Sequence, residues 1–104
     1  MARRAAVVWA RPALDSLLDI VRHIRADNPA AARQFASTIR TKVARLANFP
    51  ESGRNVPEFP TSDLRELIIG DYRVIYRVVK APSAVQILAV RHGARLLETL
   101  PGSP

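Results

Sequence analysis

Cysteine is absent from this chain, which excludes disulfides, thiolate metal sites and cysteine catalysis. Histidine is nearly absent: only His23 and His92 occur, and they form no metal-ligand spacing. No metal and no cofactor is expected. Long apolar runs are missing as well, so nothing reads as a membrane span. The N-terminal run MARRAAVVWARP opens on a basic pair and is cut by Arg11, too early for a signal-peptide core. The chain is expected in the cytoplasm, without a membrane partner. Negative charge is scarce: 9 Asp and Glu stand against 16 Lys and Arg, a net charge of +7. Residues 1–50 carry nine basic and three acidic side chains, and residues 51–104 carry seven and six. The first half is therefore the basic half. That favours either nucleic acid or an acidic protein as partner, and a solvated basic surface explains it equally well.

What is present is ordinary for a globular domain: 104 residues, 48% hydrophobic and 24% charged. The length suits one domain, residues 1–100, with Pro101-Gly-Ser-Pro as a disordered tail. Ala5 to Trp9 reads as a short strand, and Trp9 as a cap on the core. Pro12 ends the strand and suits the first turn of a helix, where its missing N–H costs nothing. Leu14, Leu17, Leu18, Val21 and Ile24 then recur at helical spacing. Asn28 followed by Pro29 signals the start of a second helix. Its apolar stripe is Ala32, Phe35, Ala36, Ile39, Val43 and Leu46, with Arg33, Arg40 and Arg45 off the stripe. The Asp27-Asn28-Pro29 break predicts a helical hairpin.

Asn48 to Asp63 holds three prolines and Gly53 and reads as irregular. Three strands are predicted after it: Leu64–Ile69, Tyr72–Val79 and Ala84–His92. Their short links, Gly70-Asp71 and Lys80 to Ser83, imply antiparallel pairing. Gly93 breaks the last strand, and Ala94 to Leu100 suits a single helical turn. The order β-α-α-β-β-β predicts an α+β fold, a helical hairpin packed on one face of a sheet.

A two-residue turn at Gly70-Asp71 sets Ile69 opposite Tyr72 and Ile68 opposite Arg73. Alternation then gathers Leu64, Glu66, Ile68, Arg73, Ile75 and Arg77 on one side. Arg65, Leu67, Ile69, Tyr72, Val74, Tyr76 and Val78 lie on the other. The second set is more apolar and is expected to face the helices, with Arg65 near the edge. Tyr72 and Tyr76 read as core aromatics with hydroxyls at the rim. The first set is the candidate functional face, or the solvated outer face of an antiparallel sheet, which the pattern alone favours. Glu66 suits a general base or a cross-strand partner of Arg77. His92 suits a general acid or a plain surface residue.

Several runs occur together in one order: WARPALDSLL from Trp9, DNPAAA from Asp27, FPESGRNVPE from Phe49, LREL from Leu64, GDYRVIYR from Gly70 and VRHGARLL from Val90. In that combination the chain resembles the RelE/ParE superfamily of bacterial toxins from type II toxin–antitoxin pairs. The likeness spans about residues 5 to 98, and the HGAR ending is closer to the ParE branch. It implies the same α+β fold, a helical hairpin packed on a curved antiparallel sheet, and a cognate antitoxin that wraps the toxin in a hetero-oligomer. By the likeness, Leu14, Leu18, Phe35, Ile39 and Tyr76 would touch that antitoxin. Growth arrest and plasmid stabilisation are the roles such pairs imply.

The two branches differ in target. RelE-like toxins cleave mRNA on the ribosome, which needs a base, cations for the phosphorane and an acid. Arg73 matches their GYR arginine, but Leu64, Glu66 and Ile68 fall where basic strand residues should be. No tyrosine follows His92. A related subfamily uses glutamate, arginine and histidine, which Glu66 or Glu58, Arg73 and His92 can imitate. Gly93 stands where that subfamily's aromatic should be. ParE-like toxins lack the nuclease set and inhibit DNA gyrase by binding. The leading expectation is therefore a gyrase inhibitor with no catalytic residue, whose target contacts are Arg65, Arg73, Arg77, Arg91, His92 and Arg95. A ribosome-dependent endoribonuclease and a degenerate toxin that only binds antitoxin as a repressor module are the alternatives.

Overall fold

Two helices meet at Asn28 in the computed structural model, which describes residues 4–93. Helix α1 spans Arg11–Asp27 and α2 spans Pro29–Ala44. The Asn28 N–H donates to the Ile24 carbonyl at 2.8 Å, closing α1. Its Oδ1 accepts from the Ala31 N–H at 3.0 Å, opening α2. One residue thus satisfies groups that both helix ends leave unpaired. Pro29 follows in the first turn, as its sequence position predicts. A 3-10 turn, Arg45–Ala47, extends α2.

Five strands form one sheet in the order β1-β5-β4-β3-β2. They are β1 Ala6–Trp9, β2 Arg54–Asn55, β3 Leu64–Ile69, β4 Tyr72–Lys80 and β5 Ser83–His92. Strand β1 runs parallel to β5, and every other pairing is antiparallel. The expected α+β layering stands, with a mixed sheet in place of a purely antiparallel one. The helices carry the chain from β1 to β2 at the far edge, and the meander back through β3 and β4 sets β5 beside β1 in the same direction. Strand β2 is an addition: two residues of the expected irregular segment pair with Arg65 and Glu66. No helix among the described residues is long and apolar enough to cross a membrane.

The β3–β4 hairpin has the expected register, with Ile69 opposite Tyr72 and Ile68 opposite Arg73. Gly70 sits at φ 59°, and Asp71 keeps a negative φ. A positive φ at the first central position is the type II′ requirement, which glycine meets without steric cost. Between β4 and β5 the register slips after Ile75, so that Leu88 is an extra residue on β5. The slip turns Ile87 to the helix side and Ala89 to the opposite side.

The sheet has two buried faces. Against the helices lie Val74, Tyr76, Val85, Ile87 and Val90, packed with Ala13, Ile39, Val43 and Leu46. On α1 the buried line is Ala13, Leu17 and Ile20, whereas Leu14 and Leu18 stand 37% and 48% exposed. The expected α1 stripe is therefore rotated. Small Ala13 lets α1 approach closely, and the two leucines turn outward. The other face was expected to be solvated and is largely covered along β3 and β4, with Ile68 left 50% exposed. Leu64 and Ile75 are closed off by Val56, Ala89, Phe59 and Leu88. The segment between β2 and β3 folds over that face, a cover that strand alternation does not reveal. The expected helical turn at Ala94 to Leu100 and the tail lie outside the described residues.

Candidate functional site

An alternating chain of charges runs across the covered face. Arg73, on β4, is 4% exposed, and Glu66, on β3, is 1% exposed. The Arg73 Nε donates to Glu66 Oε1 at 2.8 Å, and its Nη2 lies 2.6 Å from the same oxygen. On its other side, Nη1 and Nη2 donate to the two Glu58 carboxylate oxygens at 2.6 and 2.7 Å. The remaining Glu66 oxygen accepts from Arg54 Nε at 2.6 Å and lies 2.6 Å from its Nη2. Two guanidinium forks and two carboxylates thus form a neutral quartet, with bidentate geometry where arginine is strongest. The hydrogen bonds Arg73 donates to Glu58, with those to Glu66 and the charges of both carboxylates, hold its pKa above the ordinary value against the opposing effect of burial.

The elements explain the quartet. Strand β2 sets Arg54 opposite Glu66, and alternation brings Arg73 to the same face of the sheet. Glu58 arrives from the covering segment, two residues after the buried Val56. The expected Glu66–Arg77 pair does not form. Glu66 lies across from Ile75, and Arg77 lies across from Leu64 and bridges to Asp63 at 3.1 Å. Sequence reasoning missed Arg54. Its signal was the GR-x-VPE run, which holds both Arg54 and Glu58.

A cavity of about 730 Å³ opens beside the quartet, lined among others by Arg54, Glu58, Ile68, Tyr72, Arg73 and His92. His92 is exposed and meets the Tyr72 ring edge-on, centroids 5.4 Å apart. Tyr72 in turn leans on Phe35 at 5.0 Å. The structure therefore brings Glu58, Arg73 and His92 around one cavity. Glu66 lies behind, with both oxygens already accepting from arginine. As a base for a ribose hydroxyl it has no approach from the cavity. Arg73 faces two carboxylates where a phosphate would need it uncompensated.

The other expected target contacts are dispersed. Arg65 donates to the carbonyls of Gly53 and Glu51 at 2.8 and 3.2 Å. Arg91 donates to Ser16 Oγ at 3.3 Å and to the Val90 carbonyl at 3.2 Å. Arg95 lies outside the described residues. Of the expected antitoxin contacts, Leu14 and Leu18 are exposed and Phe35 is half-buried. Ile39 is buried at the floor of a groove of about 410 Å³, walled by Val7, Trp9, Leu14, Leu17 and Val43. Tyr76 is fully buried, and its hydroxyl accepts the Gly53 N–H at 2.8 Å. It has no surface to offer a partner, because Gly53 closes over it: a Cβ there would stand 2.5 Å from the Tyr76 hydroxyl and 2.7 Å from the Glu66 carbonyl. Burial pushes the Tyr76 phenol up from its ordinary value, and the Gly53 N–H opposes this in part.

A helical hairpin on a five-stranded mixed sheet, with an arginine after the Gly70 turn, defines a small open-sheet α+β fold. The chain belongs to the ParE toxin family of type II toxin–antitoxin systems, whose family model matches residues 7–97. It is 39% identical to toxin RelE2 of Caulobacter vibrioides over 92 residues, covering 88% of this chain and 99% of that one. Two solved structures share the fold. The chromosomal ParDE toxin–antitoxin system of P. aeruginosa is similar with a TM-score of 0.69 at 22% identity, over 88% of this chain and 98% of that one. The RelBE2 toxin–antitoxin complex of Mycobacterium tuberculosis is similar with a TM-score of 0.59 at 20% identity, over 86% and 98%.

Proposed function

We propose that this toxin acts by binding, as a ParE-like inhibitor of DNA gyrase, and is silenced by a cognate antitoxin. The observation that carries the reading is the pairing of Arg73 with Glu58 and Glu66 in a neutral, largely buried quartet. A cation so compensated offers little to a phosphorane, since catalysis by charge needs donors aimed at where charge develops. Leu64 and Ile68 add no cation beside it, and Leu64 is itself buried. The antitoxin would lie along the groove between α1, α2 and β1, whose walls are apolar and whose flanking surface is basic. An acidic partner with an amphipathic segment suits both features.

The test is a paired assay. Purified toxin is expected to inhibit gyrase supercoiling and to leave ribosome-bound mRNA intact. Ribosome-dependent cleavage that Arg73→Ala or His92→Ala abolishes, in variants that remain folded, would overturn the reading. The endoribonuclease reading keeps one observation in its favour, the meeting of Glu58, Arg73 and His92 around one cavity. It requires Glu58 to leave Arg73 before a phosphodiester enters.

A further inference from the structure

The sheet face turned away from the helices is covered on one side and bare on the other. The segment between β2 and β3 lays Val56 and Phe59 over Leu64 and Ile75. Among the described residues no such cover reaches β1. Val7 and Trp9 pack into the helix-side core, so alternation turns Ala6 and Val8 to the opposite face. The register sets Ala84 beside Ala6, Gln86 beside Val8 and Val79 beside Ala84. Val8 is 52% exposed, Ala6 and Gln86 are exposed, and Val79, Ala84 and Leu88 are half-buried.

These side chains are uncharged on a chain whose net charge is +7. Arg77, across from Gln86, borders them and bridges to Asp63 at 3.1 Å. Arg4 lies at the rim, four residues before Val8 and so about 13 Å along the strand. The other large apolar side chains exposed among the described residues are Leu14, Leu18, Phe49 and Ile68, and each has a cation beside it. Leu14 shares its groove with Arg40, and Leu18 lies one helical turn from Arg22. Phe49 and Ile68 share a recess with Lys42 and Arg45. Val8 alone stands on neutral ground, and neither the quartet nor the groove floor uses it. An apolar patch held in water in this way marks an interaction surface.

We infer that this face takes a second copy of the chain, sheet against sheet about a two-fold axis. An isologous contact brings the same patch together from each copy, so the patch must complement itself. A neutral apolar sheet face does so. Val8 and Val79 of one copy lie over those of the other, at about the 10 Å spacing of stacked sheets. The Gln86 amide both donates and accepts across the axis. Self-contact through the groove or the Lys42 recess would instead set cation against cation. The patch draws on β1, β4 and β5 alone, which places the contact below about 1,200 Å² in total, among weak interfaces. The α1–α2 groove lies on the other side of the sheet, so both grooves stay open in the pair. The contact needs neither gyrase nor antitoxin, and it stands or falls apart from the proposed function.

The experiment uses the purified full chain. Sedimentation equilibrium from about 10 µM to about 1 mM should pass from monomer toward dimer. The dimer should strengthen as salt rises from about 0.1 to about 1 M, because screening relieves the repulsion between two basic copies. Val8→Lys with Gln86→Lys is expected to weaken self-association about tenfold or more by opposing like charges across the axis. Its unfolding midpoint should stay near that of the parent, since both side chains are exposed. Val8→Glu with Gln86→Glu should fail to pair with itself in the same way, and the two double variants mixed should form a heterodimer. A chain that stays monomeric at about 1 mM in high salt would overturn the inference. So would a dimer that both double variants form as readily as the parent, since another surface would then make it. Shifts of the Val8 methyl signals on adding antitoxin to dilute, monomeric toxin would assign the face to the antitoxin and overturn it as well.

Discussion

Arg73 is the residue on which the covered face turns, and its partners differ in what they cost to remove. Truncating Arg73 to Met leaves Glu66 buried and Glu58 without its fork. Breaking a buried pair from one side costs about 3–5 kcal/mol, so Arg73→Met is expected to lose that much stability in urea unfolding. Arg54 occupies the exposed end, its side chain 59% accessible. Arg54→Ala is expected to cost less, about 1–3 kcal/mol, because it strands one oxygen of buried Glu66 while Arg73 still holds the other. Equal losses would show that the quartet is not graded by burial. Tyr76 gives a second expectation, read from pH. Its folded pKa lies above the ordinary 10.0 because burial disfavours the phenolate. The native state therefore keeps this proton to higher pH than the unfolded chain. Its contribution is complete below about pH 10 and declines as pH rises through the folded value. Tyr76→Phe is expected to flatten that alkaline decline. At neutral pH it should cost about 1–3 kcal/mol, since it strands the buried Gly53 N–H. Denaturation of both proteins between pH 8 and pH 11 checks each part.

Among the elements, two glycines separate backbone freedom from packing. Gly70 has φ 59° and nothing within 4 Å of an added Cβ. Gly70→Ala is therefore expected to cost only the left-handed backbone penalty, about 1–2 kcal/mol. Gly53 has no such φ, but an added Cβ meets the Tyr76 ring and the Glu66 carbonyl. Gly53→Ala should cost about 1–3 kcal/mol through overpacking and should also move the Tyr76 titration, which Gly70→Ala leaves alone. Chemical unfolding with an ultraviolet titration of tyrosine distinguishes them. The same elements show what was legible beforehand. The β3–β4 register was, because a Gly-Asp turn fixes the alternation on both sides of it. The α2 start was, because Asn28 and Pro29 each satisfy a local backbone need. The second buried face was not. Val56 and Phe59 come from a segment without periodicity, and only tertiary folding lays them over Leu64 and Ile75. Glu66 therefore read as a general base or a cross-strand partner of Arg77, when the arginines that hold it were Arg54 and Arg73. On α1 the period was legible but the facing angle was not, because the pattern cannot tell which of Ala13 and Leu14 lies against the sheet.

At the scale of the molecule, basic charge and apolar exposure occur on the same half of the chain. Residues 1–50 hold most of the excess charge, and Val8, Leu14 and Leu18 project from that half. The rotation of α1 that removed the two leucines from the core sets Leu14 on the wall of the groove over Ile39. Leucines held in water gain when a partner covers them, by about 1.5–3 kcal/mol for full burial of each. Leu14→Glu with Leu18→Glu is therefore expected to leave the unfolding midpoint close to that of the parent and to weaken antitoxin binding by about a hundredfold or more. If the toxin acts as proposed, cells producing this variant together with the antitoxin should grow more slowly than cells producing the parent pair. Ile39→Ala is the contrasting case, since it removes a core side chain and should lower stability by about 2–5 kcal/mol. Calorimetric titration with the antitoxin, paired with thermal unfolding of each toxin variant, separates the two. If the double leucine variant bound antitoxin as tightly as the parent, the groove between α1 and α2 would not be the surface the partner covers.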